Sequence, residues 1–539
     1  MNRQQNARAQ GSSPHAGRSG VRRFDYKSPP LLLLMFAGIL LAYLALLTKN
    51  YYWDGIFFAQ TIEDAPNLNA ALLHPNHLIY NVPGYLLYRI AQTMGIQLRA
   101  VEVLQILNCF VGTAAAFVLF RILINSFKSI YLSAVLTLFF ALSATWWKFS
   151  TDADSYIPSV LFMLISFYLI LPNRRPRPFL VALTHALSMC FHQLAVLFFP
   201  VVVIGILLQT SSGPAGRRIV PVVKYSLTAF LLTFPLFYYS FYLVTGTFAF
   251  TSFLQWVTTF SPEHGFTFNA WDNLTYTLRG HSRLFAGGRL GFLRDPGDPF
   301  MVGMAGVILI LAVLFFFKLF RHFRELKTAF SHALKDGIRF YPVRLLCVLW
   351  IAFYVVFLFF FIPQNTFYRL FYLPGIIVLV GTFIAPYVDS RDYVRRYRAL
   401  LFLALVATVN LTFSAYPYAQ VRANPPLALA LEMKKVWPPG TIIWFATWNT
   451  DNALVRYFNP ATVWVEARPD ALDIQLEELR KRGAPVWLDT TMIDLQEGTP
   501  EGKHWLETHA IKRPEYELVN SKYRLRFYEV NVTRALDGR

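Results

Sequence analysis

Four short stretches hold residues whose types and spacing could do chemistry. The first is "YYWDGIFFAQTIEDAPNLNAALLHPNHLIY", Tyr51 to Tyr80, with three acids, two histidines and no basic residue. Its Asp54 stands among Tyr51, Tyr52, Trp53, Phe57 and Phe58. Neighbours of that kind desolvate a carboxyl, raise its pKa and make its ionised form a stronger base. His74 and His77 follow in "HPNH". The bland alternatives are a turn at Asp54-Gly55 and helix capping by His74 and Asn76.

The second stretch is "STDADSYIP". Asp152 and Asp154 there form a short acidic pair able to orient a polar substrate or to hold a hard divalent cation, with Asp154 the candidate ligand. A helix N-cap at Asp154 or Ser155 competes with that reading. The third is "NTFYRLFYLPG", in which Arg369 is the one basic residue and no acid stands close by in sequence. A guanidinium in such a place suits a phosphate, and snorkelling to lipid headgroups is its other use. The fourth is His192-Gln193, a polar step inside an apolar block. Helix ends at that depth persist only where they line a cavity or are buried in protein; a hydrogen bond between helices is the simpler role.

The elements that must position these residues follow from composition. The chain has 539 residues, is 55% hydrophobic and 17% aromatic, and only 15% charged. Many separate apolar runs of about 17–22 residues give a polytopic all-α membrane protein. The tail after Ala415 holds 16 basic and 16 acidic residues, so the whole net charge of +19 lies before it, in short loops. That distribution argues against a nucleic-acid partner and for membrane lipids, with basic loops on the cytoplasmic side. The three cysteines, Cys109, Cys190 and Cys347, fall in apolar runs with no metal-ligand spacing.

Residues 1–30 read as a disordered basic arm, cytoplasmic because of Arg22, Arg23 and Lys27. Spans then fall at about 31–47, 101–120, 130–147 and 156–171. A broken or short helix pair within 179–208 turns near His192-Gln193. Further spans fall at about 221–243, 301–317, 345–361, 372–387 and 399–415, for about eleven helices in residues 31–415. On this scheme the loops 48–100 and 245–299 and the tail 416–539 are extracytoplasmic, in a cell (inner) membrane. The tail alternates strand-like runs such as "TIIWFATW" with helical patterns such as "ALDIQLEELRKRG", which predicts a small α/β domain. The four stretches converge on the outer face or just beneath it. A base, a second acid or metal site and a phosphate anchor would then open onto one bilayer surface.

Several local patterns resemble the GT-C superfamily of polytopic glycosyltransferases, of the protein O-mannosyltransferase and lipid A aminoarabinose-transferase type. Asp54 is in the position of that family's acid after the first helix. "HPNHLIYNVPGYLLYRI", "DADSYIPSVLFMLISFYLIL", "LSMCFHQLAVLFFP" and "FYRLFYLPGIIVLVG" are similar to successive segments of the family, in order, across residues 31–415. One departure is local: protein O-mannosyltransferases carry an adjacent Asp-Glu pair, where this chain has Asp54-Gly55. The resemblance implies transfer of a sugar from a polyprenyl-phosphate donor to an extracytoplasmic glycan, lipid or protein. Asp54 would be the general base of an inverting displacement. Arg369 would hold the departing phosphate, and His74, His77, His192 and Asp154 would orient donor or metal. A transporter or flippase for a lipid-linked anion is the alternative, although the chain lacks the internal repeat such proteins usually carry.

Overall fold

The computed structural model describes residues 29–211, 214–258, 265–288, 298–321, 337–388, 393–511 and 526–530. The expected basic arm and most of the basic segment before Arg344 lie outside the described residues.

The first half of the bundle comprises α1 (Pro29–Ala45), α2 (Trp53–Asp64), α3 (Asn81–Thr93), α4 (Ala100–Phe127), α5 (Ile130–Ala141), α6 (Ala144–Ser150), α7 (Tyr156–Leu169), α8 (Pro178–Phe191) and α9 (Phe199–Gln209). The second half comprises α10 (Ala215–Thr245), α11 (Phe250–Thr258), α12 (Ala270–Phe285), α13 (Pro299–Arg321), α14 (Gly337–Phe360), α15 (Leu373–Val388) and α16 (Tyr393–Asn410). Among the described residues, five helical stretches are long and apolar enough to cross a membrane, among them the whole of α4. The pair α5 and α6 passes the same test but bends by 68° at its break, and five shorter apolar helices accompany them. The protein is a multi-pass membrane protein of several apolar helices.

Three departures from the sequence reading shape the site. The stretch 48–100, expected between the first two spans, is folded. It forms α2 and α3 with 3-10 turns at Ala70–Leu72 and Pro75–His77, because Ile56, Phe58, Ala59 and Ile62 fall on one helical face and are buried. Asp54 accordingly sits in the first turn of α2 rather than in an Asp-Gly turn. The span expected at 130–147 breaks after Ala141 and resumes at Ala144, so α6 runs off the axis of α5. The region 245–299 likewise contains α11 and α12.

The break near His192 takes the expected place. α8 stops at Phe191, His192 is extended (φ −160°, ψ 126°), and a 3-10 turn over Gln193–Phe198 leads into α9. The His192 ring accepts a hydrogen bond from the Leu194 backbone N–H at 3.1 Å, capping the new turn.

After α16 and a π-helical turn at Leu411–Ala415, the chain builds α17 (Pro425–Val436), β1 (Ile442–Phe445), α18 (Thr450–Phe458), β2 (Val463–Glu466), α19 (Leu472–Arg480), β3 (Val486–Leu488), α20 (Thr490–Glu497), α21 (Pro500–His509), β4 (Ala510–Ile511) and β5 (Tyr528–Val530). The sheet order is β2-β1-β3-β5-β4. β1 pairs in parallel with β2 and β3, and β5 is antiparallel to both its neighbours.

One hydrophobic core fills the helix bundle and another lies between the sheet and α19–α21. A third joins the two halves of the molecule: Ile56, Phe58 and Ile62 of α2 share it with Leu427, Ile443, Leu454 and Trp487. A polar knot sits beside this third core. Glu63 accepts from Arg99 Nη2 (2.8 Å), the Ala100 N–H (2.8 Å) and the Tyr457 hydroxyl (2.7 Å), and Arg99 also donates to the Tyr457 carbonyl. The Arg99 guanidinium lies 4.0 Å from the Tyr457 ring centroid. A paired, half-buried knot of this kind fixes geometry better than an exposed ion pair does.

Candidate active site

The turn Thr151–Ser155, between α6 and α7, is the anchor of the site. Its acids are fully buried, so each must be compensated. Asp152 accepts through Oδ2 from the Tyr52 N–H (3.0 Å) and Lys148 Nζ (2.9 Å), and through Oδ1 from the Ala153 N–H (2.9 Å). Asp154 accepts through Oδ1 from the Ser155 N–H at 2.6 Å. Its Oδ2 is buried with no hydrogen-bond partner among the described residues. The turn itself hangs from α4. The Asn108 side-chain amide donates to the carbonyls of Asp152 (2.7 Å) and Asp154 (2.6 Å), and Gln105 donates to the carbonyls of Thr48 and Thr151.

Asp54 is brought to these acids by close backbone contact. A Cβ on Gly55 would lie 2.7 Å from the Ala153 carbonyl oxygen, so no larger residue fits between α2 and the acidic turn. That is the physical reason for glycine after Asp54, where an Asp-Glu pair would clash. The Asp54 carboxyl is raised above its ordinary range, by burial first and by the charge of Asp152 second. Asp154 is raised well above its ordinary range, by burial and then by Asp54 and Asp152. Neighbouring carboxyls in a desolvated site resist double ionisation, so the set tends to share protons. Tyr368, whose hydroxyl is pushed up by burial and by Asp54 and Asp154, closes the cluster from the segment before α15.

The histidines form a second cluster against the same turn. His74 and His77 stack with ring centroids 5.4 Å apart, and His192 meets His77 edge-on at 4.6 Å. His77 Nδ1 is 2.6 Å from Ser155 Oγ, which ties "HPNH" to "DADS". The Tyr156 ring lies 5.1 Å from that of His192. Burial lowers His74 to about 4 and holds His77 well below its ordinary value, with His192 and His74 adding to the latter, so both rings are neutral at pH 7. His74 does not cap through its side chain, and neither does Ser155. The Nε2 of His192 is buried with no hydrogen-bond partner among the described residues. Neutral imidazoles are suited to hydrogen bonding rather than to charge neutralisation.

Arg369 is held deeper than the snorkelling alternative requires. The residue is 1% exposed and does not snorkel. Its Nη1 donates to the Asn365 carbonyl (2.5 Å) and its Nη2 to the Pro363 carbonyl (2.8 Å). A Cβ on Gly280 of α12 would lie 2.4 Å from its Cζ, so the guanidinium is seated flat on that helix. Those two partners are backbone carbonyls of its own loop, next to Ile362, whose φ of 45° is unfavourable for a β-branched residue, and its Nε is buried with no hydrogen-bond partner among the described residues. Burial lowers its pKa. From this segment it is Tyr368 that comes near Asp54 and Asp154, while the Phe367 ring packs 4.8 Å from that of Tyr52 and 5.1 Å from that of Tyr156.

Two cations that sequence reasoning did not single out stand at the open side. A cavity of about 530 Å³ is lined by Lys148, Phe149, Arg283, Thr366, Phe367 and Ser414, among others. Asn410 holds its walls together by donating to the carbonyls of Leu142 (2.8 Å) and Phe285 (2.7 Å) at the break after α5 and the end of α12. Lys148 is thus shared between this cavity and Asp152. Its i, i+4 spacing from Asp152 was the available signal. Gln105 and Asn108, on one face of α4, were signalled only as amides inside an apolar helix. Among the described residues no group of three or more His, Cys, Asp or Glu side chains could hold a metal ion.

The fold matches solved structures, among them two of ArnT. One is ArnT from Cupriavidus metallidurans bound to undecaprenyl phosphate, at 12% identity and a TM-score of 0.55, covering 93% of this chain and 98% of that one. The other is ArnT from the same organism in the apo state, at 11% identity and a TM-score of 0.56, covering 93% and 97%. No protein-family model and no curated protein matches the sequence. At such identities the likeness is one of fold, over nearly the whole length of both chains.

Proposed function

We propose that the protein is a membrane glycosyltransferase that moves a sugar from a polyprenyl-phosphate donor to a hydroxyl of an acceptor outside the cytoplasm. The observation that carries the reading is the juxtaposition of a proton-accepting cluster, Asp54 with Asp152 and Asp154, and a cavity lined by Lys148 and Arg283. The shared fold supports it, since the ArnT neighbour binds undecaprenyl phosphate, a lipid phosphate of the kind such a donor releases. No observation supports the transporter alternative.

In this reading Asp54 is the general base. The acceptor oxygen attacks the anomeric carbon from the face opposite the phosphate, Asp54 takes the hydroxyl proton, and the bond from the anomeric carbon to the phosphate oxygen breaks. Configuration at the anomeric carbon inverts, and the polyprenyl phosphate departs with its tail in the lipid. Lys148 and Arg283 neutralise the charge that grows on the leaving phosphate. Arg369, which the sequence reading made the phosphate anchor, acts one step removed by holding the loop that presents Phe367 and Tyr368. His74, His77 and His192, as neutral rings, shape the pocket around the donor sugar together with Ser155. The Asp54 carboxyl, raised by its surroundings, is a better proton acceptor once ionised than a solvated aspartate.

The test is transfer of a labelled sugar from polyprenyl-phosphate donor in membranes carrying the protein. Asp54→Asn keeps the shape of the carboxyl and removes its basicity; the expected result is loss of transfer with the donor still bound. Unchanged transfer would sink the assignment.

A further inference from the structure

A second concavity, of about 670 Å³, lies between α2 and the beginning of α18. Its α2 wall carries Trp53, Phe57, Gln60, Thr61 and Asp64, spacings that make one stripe along a helix. The opposite wall is led by Trp448 with Asn449 and Thr450. A stripe of this sort would normally be core. Here Trp53 is 48% exposed, Phe57 44% and Trp448 47%. These rings are nevertheless held. Trp448 stacks on Trp464 at 5.6 Å and 28°, touches Phe445 at 4.3 Å, and has the Arg456 guanidinium 5.2 Å from its centroid. Trp53 lies against Phe57 at 6.2 Å.

The lining selects among ligand classes. An acyl chain would be matched by continuous apolar walls, whereas here amide, hydroxyl and carboxylate groups alternate with the rings. A polyanion would be matched by several cations, whereas Arg456 is the single basic residue of the lining and Asp64 opposes it. A sugar ring offers one face of C–H bonds, whose positive edge complements the negative face of an aromatic ring, and a rim of hydroxyls. Gln60 can donate and accept, and the Asn449 amide N–H can donate while its oxygen caps α18 by accepting from the Asp451 and Asn452 N–H groups; hydroxyls can use both kinds of group. The groove also leads somewhere. Its stripe ends at Trp53, the residue before Asp54, and Asp64 to Trp53 is about 16 Å of helix.

We infer that this groove is the acceptor subsite and that it takes a neutral saccharide chain, laid along α2 with one end at Asp54. The inference rests on the transferase reading for its role and on the groove for its ligand. The protein commits its exposed aromatics to the acceptor and keeps the buried acids for the reaction. Trp448 is the ring that fixes the saccharide on the side of the sheet.

The experiment uses full-length protein in lipid nanodiscs, free of sugar-headed detergents, titrated calorimetrically with neutral hexasaccharides of mannose, glucose and N-acetylglucosamine. Saturable binding of at least one is expected. It should weaken at least tenfold in Trp448→Ala, return in Trp448→Phe, and persist in Asp54→Asn. No binding of any hexasaccharide, or binding indifferent to Trp448→Ala, overturns the inference. So does Trp448-dependent binding of a brominated phospholipid chain or of a serine- and threonine-rich peptide in place of the sugars. The two readings fail separately: saccharide binding without any sugar transfer removes the transferase reading alone. Transfer whose acceptor KM is unmoved by Trp448→Ala removes the groove alone.

Discussion

The two flanks of α2 are built in opposite ways. On one, Asp54 meets a turn whose acids are wholly buried and whose backbone is held by two amide side chains of α4. On the other, Trp53 and Phe57 face a groove with half their surface exposed. The buried flank fixes a few charged atoms to within hydrogen-bond tolerance, which is what proton transfer and charge stabilisation demand. The open flank presents broad rings with little preference for one partner atom, which suits recognition of an extended ligand. Chemistry and recognition therefore share a helix without sharing a surface.

The largest expected effect comes from the buried flank. Asp54→Asn should lower kcat by about 10²–10⁴-fold, measured as sugar transfer at saturating donor, with retained binding of polyprenyl phosphate; a loss of donor binding of the same size would instead make Asp54 a binding group. Lys148→Ala comes next. Removing a charge-assisted contact of about 1.5–3 kcal/mol should weaken inhibition by polyprenyl phosphate roughly 10–100-fold, and an unchanged inhibition constant would move the phosphate away from that cavity.

Asn108→Ala tests whether the turn needs its support. Two of its donors' acceptors are the carbonyls of Asp152 and Asp154, so a loss of about 1–3 kcal/mol in thermal or denaturant unfolding is expected together with a fall in kcat. A variant as stable and active as the parent would mean that the acids hold themselves in place. The smallest effect is a displaced pH profile. The Asp54 carboxyl is raised by burial and by Asp152, and the base must be ionised to work. Activity should therefore fall on the acid side at a pH above the ordinary carboxylate range. Asp152→Asn removes a negative neighbour, lowers the Asp54 pKa and should carry that acid limb to lower pH; movement of kcat/KM the other way would contradict the pairing. None of these changes lies in the groove, so each should leave saccharide binding in place, and that contrast is the sharpest check on the division of labour.

Much of the arrangement was legible because it rests on local chemistry. Basic loops, apolar runs and the polar step at His192-Gln193 follow from what each residue does in lipid, and the helix does break there. The gathering of Asp54 and Asp154 followed from sidedness alone. Other features were illegible for equally physical reasons. Arg369 was expected to face lipid headgroups or an anion; it is buried, with carbonyls four and six residues before it taking Nη1 and Nη2 while its Nε has no partner among the described residues, and sequence counts charges but cannot see a backbone dipole turned inward. The amphipathic stripe in 53–64 was present in the sequence but read as loop, since no partner for its apolar face was in view. That partner is the core shared with Leu427, Ile443 and Leu454, more than three hundred residues away. The groove depends on the same long-range meeting and could not be drawn from either half.

The knot of Glu63, Arg99 and Tyr457 has a consequence for what is modified rather than how. It joins the far end of α2 to α18 through direct hydrogen bonds, so the rings of the groove and the carboxyl of Asp54 stand at a set separation. An acceptor chain held on those rings would offer Asp54 the unit at one distance from its anchorage. The protein would then act as a ruler, choosing its position along the chain by length.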